Sequence, residues 1–539
     1  MRDYQAAYDS FSITELAAEV LAGDLDKSVN AAFECCDRWA ADPNRVAIHW
    51  IGKDFAEETI TFAELLDQSA RFANLLRARG IGKGDVVGGL LPRIPELFVV
   101  ALGTWRLGAI YQPLFTAFGP AAIESRVTGA GGSHAKLIVT DAANLPKLDG
   151  VANCPPSLLI DRGNPGAATF AAAIAAQSPI CDPVPLTGAD PFVILFTSGT
   201  TGKPKGVRWP LTSLLNLGAY MRDAIGLRPD DRFWNVADPG WAYGMAFAVT
   251  GPLLLGHATT FHEGGFTVDG TIKVLTTRHI TNFAAAPTVY RLMMATGDTA
   301  MAPLAGQFRV ASSAGEPLNP EVARWAERVL HVHLKDQYGQ TESLMTVVNH
   351  HALAHAVKPG AAGLPMPGFS VAILDDALQP VPPGTPGVLA IHRARSPMFF
   401  FEGYYKAETP SFQGAWYVTG DTMQQDADGH FLFVGRNDDI ITSSGYRIGP
   451  FDVESVLIEH PAVAEVAVVG KPDPERTEIV KAFIVLRTRP NDPTALKSEL
   501  QKFVRTRLSL HAYPREIEFR DELPKTPSGK IQRFLLREG

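Results

Sequence analysis

The stretch Phe192-Val-Ile-Leu-Phe196 runs straight into Thr197-Ser-Gly-Thr-Thr-Gly-Lys-Pro-Lys-Gly206. The first five residues read as a strand. The next ten hold four hydroxyl side chains, three glycines and two lysines. Glycines let backbone N–H groups turn toward a bound anion, hydroxyls donate further hydrogen bonds, and lysines supply charge. That chemistry fits a polyphosphate, with Thr197, Ser198, Gly199, Thr200, Thr201, Gly202, Lys203 and Lys205 as the candidate contacts. The loop is not of the Walker type: two residues separate Gly199 from Gly202, and Pro204 stands where Ser or Thr is required. Composition alone also describes a plain surface turn.

Around this strand and loop the chain alternates. Thr61-Phe-Ala-Glu64 is a capping box, followed by Leu65, Leu66, Phe72, Ala73, Leu75 and Leu76 at helical spacing. Short apolar runs at 85–91, 109–111, 137–140, 233–236, 258–261, 282–286 and 308–311 read as strands. Segments 95–107, 211–224 and 320–330 read as helices. Such alternation predicts an α/β fold of doubly wound, mostly parallel sheets. After about Gly360 the pattern changes. Runs at 369–374, 388–392 and 431–434, with the turn Val381-PPGTPG-Val388, predict an antiparallel β subdomain. The last hundred residues form their own cycle of helix 450–460, strands 463–469 and 482–486, and helix 495–508. They read as a small α+β domain able to move as a unit. The predicted division is therefore 1–436 and 437–539.

The 539 residues are 46% hydrophobic and 20% charged, ordinary for a globular enzyme and enough to exclude intrinsic disorder. A formal charge of −8 argues against a general binder of nucleic acid or anionic membranes. Four cysteines with no CxxC pair build neither a disulfide scaffold nor a thiolate zinc site. The start, MRDYQAAYDS, lacks the basic and apolar regions of a signal peptide, and no run approaches a membrane span. A reduced, cytoplasmic protein is the expectation.

The ten residues from Thr197 to Gly206 resemble the phosphate-loop signature of the AMP-forming acyl-CoA synthetases, a superfamily shared with luciferases and peptide-synthetase adenylation domains. Further motifs stand in that family's order: Gly315-Glu-Pro317, Asp336-QYGQT-Glu342, Tyr417-VTG-Asp421, Gly435-RNDDIITSSGY-Arg447 and Pro524-KTPSG-Lys530. The resemblance spans about residues 40 to 535. Ser443-SGYRIGPFDVE-Ser455 and Ala286-PTVY-Arg291 are most similar to the medium-chain acyl-CoA synthetase and acetyl-CoA synthetase branch.

The resemblance implies two half-reactions. A carboxylate attacks the α-phosphorus of Mg·ATP, giving acyl-AMP and pyrophosphate, and the thiol of CoA then takes the acyl group. Two anions must meet in the first step, so cationic and hydrogen-bonding groups have to offset their repulsion. Lys530 is implied to contact both carboxylate and α-phosphate, and Arg447 and Arg436 to bind ribose and phosphate oxygens. Thr341 would touch the α-phosphate and Glu342 would hold Mg²⁺. Asp421 would accept the ribose hydroxyls. Tyr338 would stack on adenine, lined by Gly315, Glu316 and Pro317, with Asp336, Gln337, Gly339 and Gln340 in the same nucleotide-binding string. Asp438 matches the family's hinge residue, about which the small domain rotates between the two steps. Ser444, Gly445 and Tyr446 would then border the pantetheine tunnel. Arg505 would reach the CoA phosphate or else be a solvated helix arginine.

For the acyl group, the acetyl-CoA synthetases carry a Trp at the position of Gly339. Its absence is expected to open volume for several methylenes and to favour a medium-chain or aromatic acid over acetate. Trp241, Tyr243 and Gly244 are expected to line the same pocket, although Trp241 equally suits plain core. The competing reading is a stand-alone ligase that loads an amino acid or aryl acid onto a carrier protein. Its Phe-Asp-x-Ser string is missing near Trp241. A metal site at the histidines is not expected. His351 and His355 would share a helix face but lack an acidic base between them, and His331 and His333 read as alternating along a strand.

Overall fold

The architecture is that of a computed structural model, which describes residues 2–162, 170–197, 204–436, 439–443, 446–473, 476–509, 511–525 and 531–537. The strand that opens the phosphate-loop motif is Pro191–Thr197, and its run of apolar residues is explained by burial on both faces. It lies near one edge of a six-stranded sheet. The strands run in the order Ser157–Ile160, Leu137–Asp141, Val86–Leu90, Ile110–Pro113, Pro191–Thr197 and Lys205–Pro210. All neighbours are parallel except the last pair, where the chain returns antiparallel after the loop.

The capping box at Thr61 forms: Thr61 Oγ1 accepts from Glu64 N, and Glu64 Oε2 accepts from Thr61 N at 2.8 Å. The helix Phe62–Ala78 that it starts buries Leu65, Ser69, Phe72, Ala73 and Leu76 against the helix Glu96–Arg106. The two approach closely enough that a Cβ on Gly103 would stand 2.7 Å from Phe72 and 2.8 Å from the Ser69 carbonyl. Each large side chain sealed there contributes about 1.5–3 kcal/mol.

The second sheet carries most of the motifs. Val46–Ile51, Thr259–His262, Phe233–Asn235, Asn282–Ala285, Val310–Ala314 and Leu334–Gln340 pair in parallel. The strands Leu344–Val348, Ala361–Pro365, Phe431–Arg436, Trp416–Gln425, Gly387–His392 and Val371–Leu374 then extend the same sheet antiparallel. The antiparallel region expected after Gly360 is therefore continuous with the parallel sheet and begins earlier, at Leu344. The reversal is a tight turn straight after the Asp336–Glu342 motif, with Leu344 at φ 54°. Val46–Ile51, not among the strands expected from the sequence, pairs in parallel with Thr259–His262.

The C-terminal region has its own sheet, in the order Tyr446–Ile448, Ile441–Ser443, Thr477–Leu486 and Val463–Asp473, with Glu516–Phe519 parallel to Thr477–Leu486. Helices Pro450–Leu457 and Pro493–Arg507 close its core, which includes Val453, Leu457, Val468, Ile484, Leu500 and Val504. The first of these helices leans on the large region. Phe451 meets Phe433 edge-on at 6.0 Å, and a Cβ on Gly449 would fall 2.4 Å from the Val434 carbonyl. Arg324 pairs with Glu459 at 2.8 Å, and Asn319 Nδ2 donates to Ser455 Oγ at 3.1 Å.

His351 and His355 lie outside regular structure, on either side of the short strand Leu353–Ala354; the His350 N–H donates to His355 Nε2, and His351 Nε2 meets Ser312 Oγ at 3.2 Å. One histidine expectation is corrected. His331 ends a helical turn at φ 56° and strand pairing starts only at Leu334, so His331 and His333 do not alternate along a strand. Among the described residues no helix is long and apolar enough to cross a membrane.

Candidate active site

Ligands of α/β sheets gather beyond the carboxyl ends of parallel strands. Here Pro191–Thr197 delivers the chain to residues 198–203, and Val310–Ala314 delivers it to Gly315-Glu316-Pro317. Leu334–Gln340 delivers it to Thr341 and Glu342, with the antiparallel strand Trp416–Gln425 reaching the same end. Gly315 takes φ +95°, a conformation that glycine adopts without strain, and nothing stands within 4 Å of where its Cβ would be. The backbone there faces open space.

The centre of the site is the Asp421 carboxylate, which is buried at the middle of its strand. Its Oδ2 accepts from the Tyr338 hydroxyl and from Gln340 Nε2, both at 2.6 Å. Its Oδ1 lies 3.5 Å from Arg436 Nε, because Asp421 and Arg436 are register partners on paired strands. Gln340 is itself fixed, donating to the Thr419 carbonyl at 3.0 Å and accepting from the Tyr417 hydroxyl at 2.9 Å. The three motifs that hold Tyr338, Asp421 and Arg436 are thus one hydrogen-bonded unit.

A second unit surrounds Glu342. Its carboxyl is 7% exposed, and burial pushes it above the usual carboxylate range. The Tyr404 hydroxyl donates to its Oε1 at 2.8 Å. Lys205 Nζ lies 4.9 Å from the centre of the Tyr404 ring. The neighbouring Thr341 is tied down by its carbonyl, which accepts from Trp209 Nε1 at 2.9 Å. Trp209 is wholly buried on Lys205–Pro210, so the strand that leaves the phosphate-loop motif also holds the Thr341–Glu342 turn.

Glu316 does more than present its backbone. Its side chain accepts from the Thr288 hydroxyl at 2.9 Å and from Arg291 Nη2 at 2.7 Å. Burial works against the charge of Arg533 in the C-terminal region, but Glu454 first, then Asp439 and Glu316, keep its guanidinium protonated. The side chain of Asp336 is buried beneath the cleft floor. It accepts a 3.3 Å bond from Leu318 N, and burial pushes it up to about 8. Gln337 is buried likewise, accepting from the Tyr220 hydroxyl.

At Gly339 the direction of a side chain is taken up by backbone. A Cβ there would fall 2.2 Å from the Leu344 carbonyl oxygen and 2.9 Å from Met345 Cα. Backbone fills that direction, because the strand bulges between Tyr338 and Gly339 as it pairs with Leu344–Val348. Glycine is required by this close approach, and the vector does not lead into a chamber. Gly339→Ala is expected to cost about 1–3 kcal/mol through overpacking, read as a lowered Tm.

Trp241 packs between Phe115 and Phe118, with ring centres 5.5 Å from each, and so joins an aromatic cluster. Tyr243 is half-buried and meets Phe247 edge-on. Gly244 is enclosed: a Cβ would stand 2.1 Å from the Asp238 carbonyl oxygen. Val236 and Ala286 directly follow the paired strands Phe233–Asn235 and Asn282–Ala285, and both are half-exposed, as are Ala237 and Ala242.

Arg505 is exposed on its helix and lies over the Tyr513 ring at 5.1 Å. Ser198, Gly199, Thr200, Thr201, Gly202, Lys203, Asp438, Ser444, Gly445 and Lys530 lie outside the described residues. Tyr446 and Arg447 begin the strand Tyr446–Ile448. Sequence reasoning missed Tyr404, Trp209, Thr288 and the role of Arg291. Thr288 and Arg291 carried a signal, both lying in Ala286-PTVY-Arg291. Tyr404 follows Phe399–Phe401 and reads as one more core aromatic.

The family model for the AMP-binding enzyme matches residues 36–405, and that for the AMP-binding enzyme C-terminal domain matches residues 452–530. The acetyl-coenzyme A synthetase of Bacillus subtilis (strain 168) is 36% identical over 100% of this chain and 95% of its own. The crystal structure of the Brucella canis acyl-CoA synthetase is 54% identical, covers 100% of this chain and 99% of its own, and superposes with a TM-score of 0.81. The anthranilate CoA ligase AuaEII, solved in complex with anthranoyl-AMP, is 26% identical over 98% of both chains with a TM-score of 0.87.

Proposed function

The chain belongs to the AMP-binding enzyme family, as an AMP-forming acyl-CoA synthetase, and from that premise we propose that it activates a medium-chain aliphatic or aromatic acid in preference to acetate. ATP and CoA are its family's other substrates. The convergence of Tyr338, Gln340 and Arg436 on Asp421, next to Glu342, carries the nucleotide part of the reading. A carboxylate with two donors on one oxygen is held rigidly and suits recognition of ribose hydroxyls. Tyr338 follows Gln337, the register partner of Ala314, so its strand runs beside the strand that ends at Gly315, whose exposed backbone suits a purine edge.

In the first half-reaction an oxygen of the substrate carboxylate forms a bond to the α-phosphorus of ATP as the bond to the pyrophosphate oxygen breaks. The loop 197–206 takes the triphosphate, and Thr341, Arg447 and Lys530 stabilise the charge on the α-phosphate and the incoming carboxylate. Magnesium fits the donor set, because Glu342 offers a hard carboxylate oxygen in a sheltered position. When bound with ATP, such an ion offsets the charge of the departing pyrophosphate. In the second half-reaction the thiol attacks the acyl carbonyl and AMP leaves. The small domain, 437–539, turns about Asp438 between the two, withdrawing Lys530 and bringing Ser444, Gly445 and Tyr446 to the thiol, with Arg505 toward the CoA phosphate.

The half-exposed apolar residues at 236, 237, 242 and 286, with the Tyr243 ring, support an acyl group of several carbons. Each buried methylene contributes up to about 0.8 kcal/mol. Hexanoate or benzoate is therefore expected to exceed acetate in kcat/KM, measured as thioester formed with ATP and CoA. A clear preference for acetate overturns this part of the reading. Pyrophosphate exchange driven by amino acids, without thioester formation on CoA, would favour the carrier-loading alternative.

A further inference from the structure

We propose that Tyr404 is a positioning residue, joining the strand that leaves the phosphate-loop motif to the Glu342 carboxylate. The inference rests on the adenylating role proposed above and adds a residue that no motif contains. Tyr404 sits in an extended segment pinned to that strand: the Tyr405 N–H donates to the Gly206 carbonyl at 2.7 Å, and the two residues form a β-bridge. Its own N–H donates to Thr409 Oγ1 at 2.8 Å, and its ring meets Phe401 edge-on at 5.1 Å. The side chain therefore has little freedom. Its two ends do different work. The hydroxyl donates to Glu342 Oε1 at 2.8 Å, and the ring face carries the Lys205 ammonium at 4.9 Å. Lys205 closes the motif expected to hold the triphosphate, whereas Glu342 is the carboxylate expected to meet the divalent cation.

Two physical consequences follow. A hydrogen bond to a buried carboxylate fixes which oxygen is turned away from the protein, so the cation meets a single preset geometry. A cation held over an aromatic face is steered without being neutralised, so Lys205 keeps its charge for phosphate. Tyr404 thus sets the spacing between ammonium and carboxylate through one rigid ring.

Two variants separate the two ends. Tyr404→Phe keeps the ring and removes the hydroxyl, and Tyr404→Leu removes both. Manganese is titrated into each protein with a non-hydrolysable ATP analogue, and unbound Mn²⁺ is read by electron paramagnetic resonance with no turnover. Tyr404→Phe is expected to weaken Mn²⁺ binding about tenfold while leaving the metal-free affinity for the analogue unchanged. Tyr404→Leu is expected to weaken both. In turnover, Tyr404→Phe raises the KM for Mg·ATP and leaves the KM for the acid unaltered. Unchanged Mn²⁺ affinity in Tyr404→Phe overturns the proposal. So does an equal rise of both KM values with a matching fall in Tm, which marks a merely structural role. Should Tyr404→Leu not fold, the near-isosteric Phe variant still decides. If no carboxylate supports pyrophosphate exchange in the unaltered enzyme, the functional reading fails, while the manganese titration still judges Tyr404.

Discussion

Replacing Lys530 by alanine is expected to lower ATP–pyrophosphate exchange by about two to three orders of magnitude, while thioester formation from synthetic acyl-AMP and CoA stays close to that of the unaltered enzyme. The first half-reaction brings a carboxylate against a triphosphate, and a mobile ammonium that spans both lowers the repulsion where the new bond forms. The second half-reaction begins from a neutral acyl carbonyl already activated by its adenylate, and gains nothing from that cation. Arg533, three residues along the chain, grips Glu454 through two 2.8 Å contacts, which ties the helix Arg533–Arg537 to the helix Pro450–Leu457. Lys530→Arg is expected to recover little, since a planar fork cannot replace a compact, rotating ammonium. Equal loss in both half-reactions would show that Lys530 supports the fold or serves both steps, and the proposed withdrawal would be abandoned.

Asp421→Ala is expected to reduce kcat/KM for ATP roughly a hundredfold or more, because truncating one member of a buried charged network strands its partners. The Tyr338 hydroxyl loses its Asp421 acceptor, Gln340 Nε2 keeps the Thr419 carbonyl alone, and Arg436 loses its facing carboxylate. Calorimetric titration with an ATP analogue reads the binding loss, and a melting curve reads the structural part. Asp421→Asn divides the effect further. The amide keeps one acceptor oxygen but presents donors where the ribose hydroxyls would donate, so Tm is expected to recover more than affinity. Full recovery of affinity in the Asn variant would remove Asp421 from the ribose site.

The fold class was legible from apolar runs at strand spacing between amphipathic helices. Burial on both faces demands such runs wherever parallel strands are covered by helices, and Pro191–Thr197 is a clear case. The capping box at Thr61 was legible for a related reason: its partners are three residues apart, so local spacing settles the geometry. Chemistry concentrated in short strings was legible too, in the hydroxyl-rich loop and in the strings around Asp421 and Glu342. What the sequence could not supply was the pairing among those strings. Tyr338 lies 83 residues from Asp421, and Tyr404 lies 62 residues from Glu342. Nothing in either neighbourhood encodes the other. Gly339 shows the same limit from the other side. Read locally, a missing side chain means space, but in the fold the Leu344 backbone occupies it. By itself, then, the sequence determined the sheet-and-helix plan and the kind of groups gathered for catalysis, because these follow from local periodicity and side-chain chemistry. Only the tertiary structure decided which oxygen faces which donor, because those contacts exist only once distant strands have paired.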